Sequence, residues 1–310
     1  MAQTFDRFLH KSLNPSYRLY KLKRRIRRLG QDLQYRRLGA ETRSLESIFL
    51  HERLLCLFSR TSPRLHHGYY RDYLSRRWSV EESLRHIHDH YRFLLDRFPP
   101  SLLDNLTEGE VSLWTAQYPT IRAEVRLVLL TRDTIRNEGE FQLVLFIDGA
   151  WSHALGFLFQ SQADGSHSAL ICRNQGCIGQ QERIKEFRKQ HFQLVPLFLL
   201  MDSLIALLSF LKLDQIRVIA PDEHYQTPLG QARLEALYRQ AFEPFQAQAE
   251  TDGRATIRLP LVEKPLESID RHHRKRTQQK RQAREQMREA VRQRLEDLSA
   301  YSTEATPLAA

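Results

Sequence analysis

Glu82, His86 and His90 follow one another at i, i+4 and i+8, with His88 between the last two. That spacing puts three side chains on one face of a helix. Two imidazoles so placed can grip one metal ion, and a third ligand with a water would make a catalytic zinc site. The stretch has no His-Glu-x-x-His pattern and no clear third ligand, and the spacing equally makes a polar helix face beside an apolar stripe of Leu84, Ile87, Tyr91, Leu94 and Leu95. No metal is expected. Cys172 and Cys177 flank a glycine-containing loop, and a nucleophilic thiol there would need a base beside it. The chain has neither a Gly-x-Ser-x-Gly elbow nor a Walker loop. From Tyr69 to Trp78, aromatic residues (Tyr69, Tyr70, Tyr73, Trp78) interleave with Arg71, Arg76 and Arg77. Such a run can stack on RNA bases or line the rim of a core with snorkelling side chains.

The chain that must position these groups has 310 residues, enough for one large domain or two smaller ones. Its 10% aromatic content excludes a wholly disordered chain. Twelve Gly and twelve Pro exclude collagen-like and proline-rich linker proteins. Three cysteines, Cys56, Cys172 and Cys177, exclude a disulfide framework and point to a reducing compartment. The formal net charge is +10, unevenly spread: residues 1–37 carry +9 and residues 271–294 carry +8, so the remainder carries −7. A mildly acidic core with two basic ends points to anionic partners, an anionic membrane surface or RNA, through residues 15–37 and 271–294. Two solvated helical faces would use the same charges without any partner.

The first residues, MAQTFDRFLHKSLNPSYRLY, contain no apolar run and no small-residue cleavage site, so no secretory signal is expected. One stretch, Val195 to Leu213 (VPLFLLMDSLIALLSFLKL), approaches the length of a membrane span, about 20 residues. Asp202 sits near its middle, where an acidic residue costs about 3 kcal/mol on insertion. The pattern favours a helix buried on one face of a sheet, with Asp202 near an edge or bonded to the backbone.

Periodicity divides the chain into three regions. Residues 1–108 are helical, with helices over 15–37, 41–60, 79–98 and 101–105; Ser79 and Glu82 make a capping box for the third. Residues 109–265 alternate as short strands, at 125–133, 141–149, 153–160 and 168–175, broken by turn signals at Asp148–Gly149 and Asp164–Gly165. A helix pair over 181–212, a strand at 215–221, a helix over 228–245 and a strand at 255–262 follow. Residues 266–310 form a basic helical tail with Met287, Val291, Leu295 and Leu298 as its stripe, and a disordered end.

A strand meander, a central helix, a strand, a helix and a last strand resemble the Gcn5-related N-acetyltransferase (GNAT) topology. The resemblance implies an acyl-CoA cofactor whose pyrophosphate is bound by a strand-to-helix loop of consensus Gln/Arg-x-x-Gly-x-Gly/Ala. Here the loop reads RNQGCIG, so that Arg173, Gly176 and Gly179 match it with one residue inserted. It also implies a base and an acid where the sheet opens: Glu223 or His224 as base, Tyr225 as acid. Three further segments, YRDYLSRRWSVEESLRHIHDHYRFLLDRFPPSLL (70–103), GEFQLVLFIDGAWSHALGFLF (139–159) and LPLVEKPLESIDRHHRKRTQQKR (259–281), are similar to signatures of the VirK/YbjX family of Gram-negative bacteria. The family's His-x-Tyr appears here as adjacent His224 and Tyr225. This resemblance implies a factor for envelope integrity, virulence and resistance to antimicrobial peptides.

The sequence is therefore read as an α+β protein, a helical N-terminal region on a GNAT-like, mostly antiparallel sheet with a buried central helix. The expected function is an envelope and virulence factor acting as an acyl-CoA-dependent acyltransferase. The alternative is a non-enzymatic protein that binds RNA or an anionic membrane surface through its basic ends. The expected location is the cytoplasm, with a peripheral place at the inner membrane if those ends bind lipid.

Overall fold

The computed structural model describes residues 37–51, 54, 73–129, 139–162, 164–224 and 231–300. Residues 15–36 of the first basic segment, most of the aromatic-basic run, the far part of the predicted helix 41–60, Tyr225 and residues 301–310 lie outside the described residues.

The architecture is mixed α and β, as the pattern predicts. Helices α1 (Gly39–Phe49), α2 (Val80–Arg97) and α3 (Pro100–Glu108) come first. Strands β1 (Glu110–Gln117), β2 (Arg122–Leu129), β3 (Phe141–Ile147), β4 (Ala150–Ser161) and β5 (His167–Gly176) follow. Helices α4 (Gln181–Gln190) and α5 (Pro196–Phe210) lead to β6 (Gln215–Val218), and α6 (Gln231–Phe242), β7 (Gln248–Ala249), β8 (Ala255–Arg258) and α7 (Arg271–Ala300) complete the order.

Local chemistry sets these boundaries. The Ser79 hydroxyl accepts the Glu82 N–H at 3.2 Å, and the Glu82 carboxylate accepts the Ser79 N–H at 2.7 Å, so α2 starts on the predicted capping box. Between β3 and β4, Asp148 and Gly149 both have positive φ, 50° and 72°. Those are the dihedrals of a primed turn, which matches the twist of two antiparallel strands. Gly139 has φ +114°, and a Cβ there would meet the Phe157 nitrogen at 2.9 Å, so only glycine lets β3 begin this close to β4. The sequence reading missed β1, whose register with β2 shifts between Ser112 and Trp114 and blurs the alternation.

One eight-stranded sheet runs in the order β1-β2-β3-β4-β5-β6-β8-β7. Strands β1 to β5 form an antiparallel meander, β5 and β6 are parallel, and the remaining pairs are antiparallel. β4 is buried at every position from Ala154 to Gln160, so both of its faces are covered. The α2 side is aromatic: Phe93 stacks on Phe159 at 4.5 Å, and Phe98 on Phe141 at 5.7 Å. Helix α5 packs across β2, β3 and β4. A single core holds residues from Leu38 to Leu298 and thus from all three regions of the sequence.

The predicted basic tail is part of that core. Helix α7 docks through Ala283 and the predicted stripe Met287, Val291, Leu295 and Leu298, all buried. It packs on α5, where Asp202 is fully buried. The sequence reading put Asp202 near an edge or bonded to the backbone; instead it is held by two arginine side chains. Arg284 grips both its oxygens, through Nε at 2.7 Å and Nη2 at 3.0 Å, and Arg288 adds a third bond at 3.2 Å. Burial pushes the Asp202 carboxyl up, and the two guanidiniums pull against that shift. Helix α5 is 15 residues long, and no helix of the described residues is long and apolar enough to cross a membrane.

Removing the charge at Asp202 leaves two guanidiniums facing each other across a packed interface. Asp202→Asn is expected to lower unfolding stability by about 3 kcal/mol, and a joint Asp202→Leu, Arg284→Met, Arg288→Met replacement to recover most of it. Urea unfolding measures both. An Asp202→Asn protein as stable as the parent would show that the triad does not hold α7.

Candidate functional site

The parallel pair β5 and β6 ends in an opening. Ala169, Leu170 and Ile171 face Ile216, Arg217 and Val218, and the last link is the Ile219 N–H to the Ile171 carbonyl at 3.0 Å. Beyond it the strands part. β5 continues along β4 to Gly176, while the other chain turns into a short 3-10 segment, Pro221–Glu223. At the parting point the β4–β5 ladder steps from Phe157–Ile171 to Gly156–Arg173 and skips Cys172. This is a bulge, a device that re-aims side chains and is frequent beside active sites. Both chains leave from the carboxyl ends of parallel strands, where open α/β sheets bind ligands.

On the β6 limb, Glu223 is fully buried and saturated with donors. Arg254 binds it with both prongs, Nε at 2.7 Å and Nη2 at 2.8 Å. The Ser75 hydroxyl donates to the same carboxylate, and the Ala220 N–H reaches it at 3.3 Å. Burial, the largest influence, raises the Glu223 carboxyl, but the bonds from Arg254 and Ser75 together outweigh it and hold the group low and ionised. A carboxylate so held is an anchor and a weak base. It ties segment 73–79 to the sheet, helped by the Arg76 N–H, which donates to the Glu223 carbonyl at 2.8 Å. Arg77 pairs with Asp222 at 2.6 Å. Arg254 lies over the Trp78 ring at 5.2 Å, and Trp78 stacks on His86 at 4.0 Å.

His224 follows immediately and differs. It is 8% exposed, its ring meets Tyr238 edge-on at 5.1 Å, and its Nε2 has no hydrogen-bond partner among the described residues. Burial pushes its imidazole down, with Glu223 opposing and Arg76 assisting. At neutral pH it is therefore uncharged and able to take a proton. Tyr225, the next residue, lies outside the described residues.

On the β5 limb, Arg173 is buried on the strand and donates to the Gln175 side chain. Gly176 ends β5 beside His153, whose Nε2 bonds the Asn174 amide oxygen at 2.7 Å. Gly179, at φ +84°, makes the turn into α4. Helix α4 starts without any side-chain cap, which leaves its first N–H groups to solvent or a ligand. Gly176 and Gly179 thus bracket a turn at a helix N-terminus, while Arg173 points along the strand toward Gln175.

The family model described as a protein of unknown function (DUF535) matches residues 17–293. The chain belongs to the DUF535 family. No curated protein and no solved structure matches it.

Of the site groups in this DUF535 chain, Arg254 and Ser75 escaped the sequence reading, since they lie 31 and 148 residues from Glu223. Arg254 follows the Asp252–Gly253 turn and carries no local motif. The histidine cluster divides into separate tasks. Glu82 is occupied by the α2 cap, and His88 faces Asp89 at 3.6 Å. His86 is pushed down to about 4, first by burial. His90 is fully buried, and its Nδ1 accepts the Phe159 N–H at 3.0 Å, one that lies beyond the last β3–β4 pair, Phe141–Phe157. Among the described residues no group of three or more His, Cys, Asp or Glu could hold a metal ion.

Burial pushes the His90 imidazole down to about 3. Its unfolded counterpart titrates near 6.5, so below that pH the unfolded state gains a proton that the folded state refuses. The stability this gives is complete above pH 6.5 and is lost as pH falls toward 3. His90→Asn keeps an acceptor for Phe159 but no titration. It is expected to flatten the fall in unfolding free energy between pH 6 and 4.5 by about 1.4 kcal/mol per pH unit. Equal slopes in both proteins, measured by urea unfolding, would show that His90 is charged in the fold.

Proposed function

We propose that this DUF535 protein is an acyl-CoA-dependent acyltransferase acting on an amine. The observation that carries the reading is the parting of the parallel strands β5 and β6, beside the Cys172 bulge, between an uncapped helix start and a neutral histidine. The strand order, with β8 inserted between β6 and β7, fits the GNAT-like topology read from the sequence. In this reading the turn from Gly176 to Gly179 and the first N–H groups of α4 receive the pyrophosphate, and Arg173 supplies positive charge from the strand. The acceptor amine attacks the thioester carbonyl carbon, and its proton passes to His224 Nε2. The carbon–sulfur bond breaks, an amide forms, and the leaving thiolate takes a proton from the Tyr225 phenol. Glu223 serves by positioning: anchored on Arg254 and Ser75, it fixes the backbone that carries His224. The VirK/YbjX resemblance adds envelope integrity and virulence as the biological setting.

Acetyl-CoA and longer acyl-CoAs are expected to raise the melting temperature by mass action, about 2.7 kcal/mol of stabilisation at 100 times Kd. Gly179→Val should abolish the shift, because a β-branched residue resists φ +84°. His224→Asn should keep the shift and lose acyl transfer to an amine. A flat titration to millimolar acyl-CoA with the parent protein would overturn the acyltransferase reading.

A further inference from the structure

A groove of about 1900 Å³ runs between α5, the first half of α7 and residues 259–264. It opens at the amino end of β6, beside Leu213 and Asp214, away from the carboxyl end where His224 lies. Its volume exceeds the roughly 300–1,000 Å³ of small-molecule sites. Val195, Phe198, Leu259, Leu261 and Val262 give it apolar walls, and Val262 is 76% exposed.

Charge along the rim is uneven. Where α7 faces the rest of the protein, its arginines are matched: Arg281 to Glu263, Arg284 and Arg288 to Asp202, and Arg292 to Glu289 and Glu296. One turn earlier the matching stops. Arg276 and Lys280 lie at i and i+4 on α7, and Arg188 approaches Lys280 from the end of α4. Among the described residues, none of the three makes a hydrogen bond or ion pair. The Lys280 ammonium is pushed down, first by its burial and then by Arg276 and Arg188. Three cations so placed repel one another.

We propose that this groove binds a single anionic phospholipid, its phosphate held by Arg188 and Lys280 with Arg276 one turn from Lys280 at the edge, and an acyl chain lying against Leu261 and Val262. The phosphate supplies the missing counter-charge, and the chain covers the apolar wall. The aliphatic lining favours a hydrocarbon over a nucleic acid, which needs a run of exposed aromatic faces; Phe198 is already taken by Arg284 and by Phe245. The inference is independent of the acyltransferase reading, since the two sites lie at opposite ends of β6.

The test titrates the full-length protein with dihexanoyl phosphatidylglycerol, dihexanoyl phosphatidylcholine and inorganic phosphate, followed by calorimetry. Saturable binding of phosphatidylglycerol alone is expected, weakened about fivefold for each cation lost in Arg188→Gln and Lys280→Gln. Val262→Asp should weaken it as well. The two glutamine variants relieve repulsion, so their melting temperatures without lipid should not fall, which separates lost binding from lost folding. Equal binding of phosphatidylcholine, binding of phosphate as tight as that of the lipid, or phosphatidylglycerol binding unchanged in the variants would each overturn the proposal. So would self-association through Val262, or displacement of the lipid by RNA.

Discussion

The ion triad of Asp202, Arg284 and Arg288 decides how the C-terminal third of this DUF535 chain relates to the rest. A lone carboxylate buried among leucines would be strongly disfavoured, and in that setting it would take up a proton. The two-pronged bond from Arg284 and the third bond from Arg288 supply a counter-charge with nearly ideal geometry. Both arginines come from α7, so α5 is compatible with an ionised Asp202 only while α7 is docked. The stripe from Ala283 to Leu298 then extends that contact to β1 and α3. A helix rich in Lys and Arg is in this way turned into a structural wall.

A second buried carboxylate plays a similar part at the far end of the sheet. Glu223 gathers Arg254 from the turn before β8, Ser75 from the segment before α2, and the backbone of its own turn. A third, Glu140, accepts from the hydroxyls of Tyr73 and Tyr91. Segment 73–75 thus touches two of the three. These bonds stand in for the apolar packing that an irregular connection lacks. The β5–β6 pairing thus ends beside the Cys172 bulge and beside the bonded Glu223.

Much of this was legible in the sequence, and the parts that were not share a cause. The α2 cap, the Asp148–Gly149 turn, the stripe of α7 and the burial of α5 rest on local spacing, which a sequence displays directly. Asp202 was visible as an anomaly in an apolar run, but its partners lie 82 and 86 residues away, and no local rule selects two arginines among the eight on α7. The same holds at the candidate site. Glu223 and His224 were picked out as adjacent chemistry-bearing residues, and the structure separates them: one is saturated with donors, and the other has a buried nitrogen with no partner among the described residues. That difference arises from Arg254 and Ser75, whose approach depends on tertiary folding. Strand β1 was missed because its irregular register interrupts the period-two signal on which strand recognition relies.

The composition of α5 follows from where these contacts fall. A crossover helix on a sheet needs one apolar face, with polar residues opposite. α5 is apolar nearly all round because three different neighbours claim its circumference. The sheet takes one side, through β2, β3 and β4, and α7 takes another, through the triad and its stripe. The third side, with Val195 and Phe198, opens on the groove. The first two claims account for the buried leucines and for Asp202. The third borders the groove, where Phe198 is packed by Arg284 and Phe245. The resemblance of Val195–Leu213 to a membrane span therefore has a specific physical origin. The helix is enclosed by the sheet and by α7, and both enclosures call for apolar residues around most of its circumference.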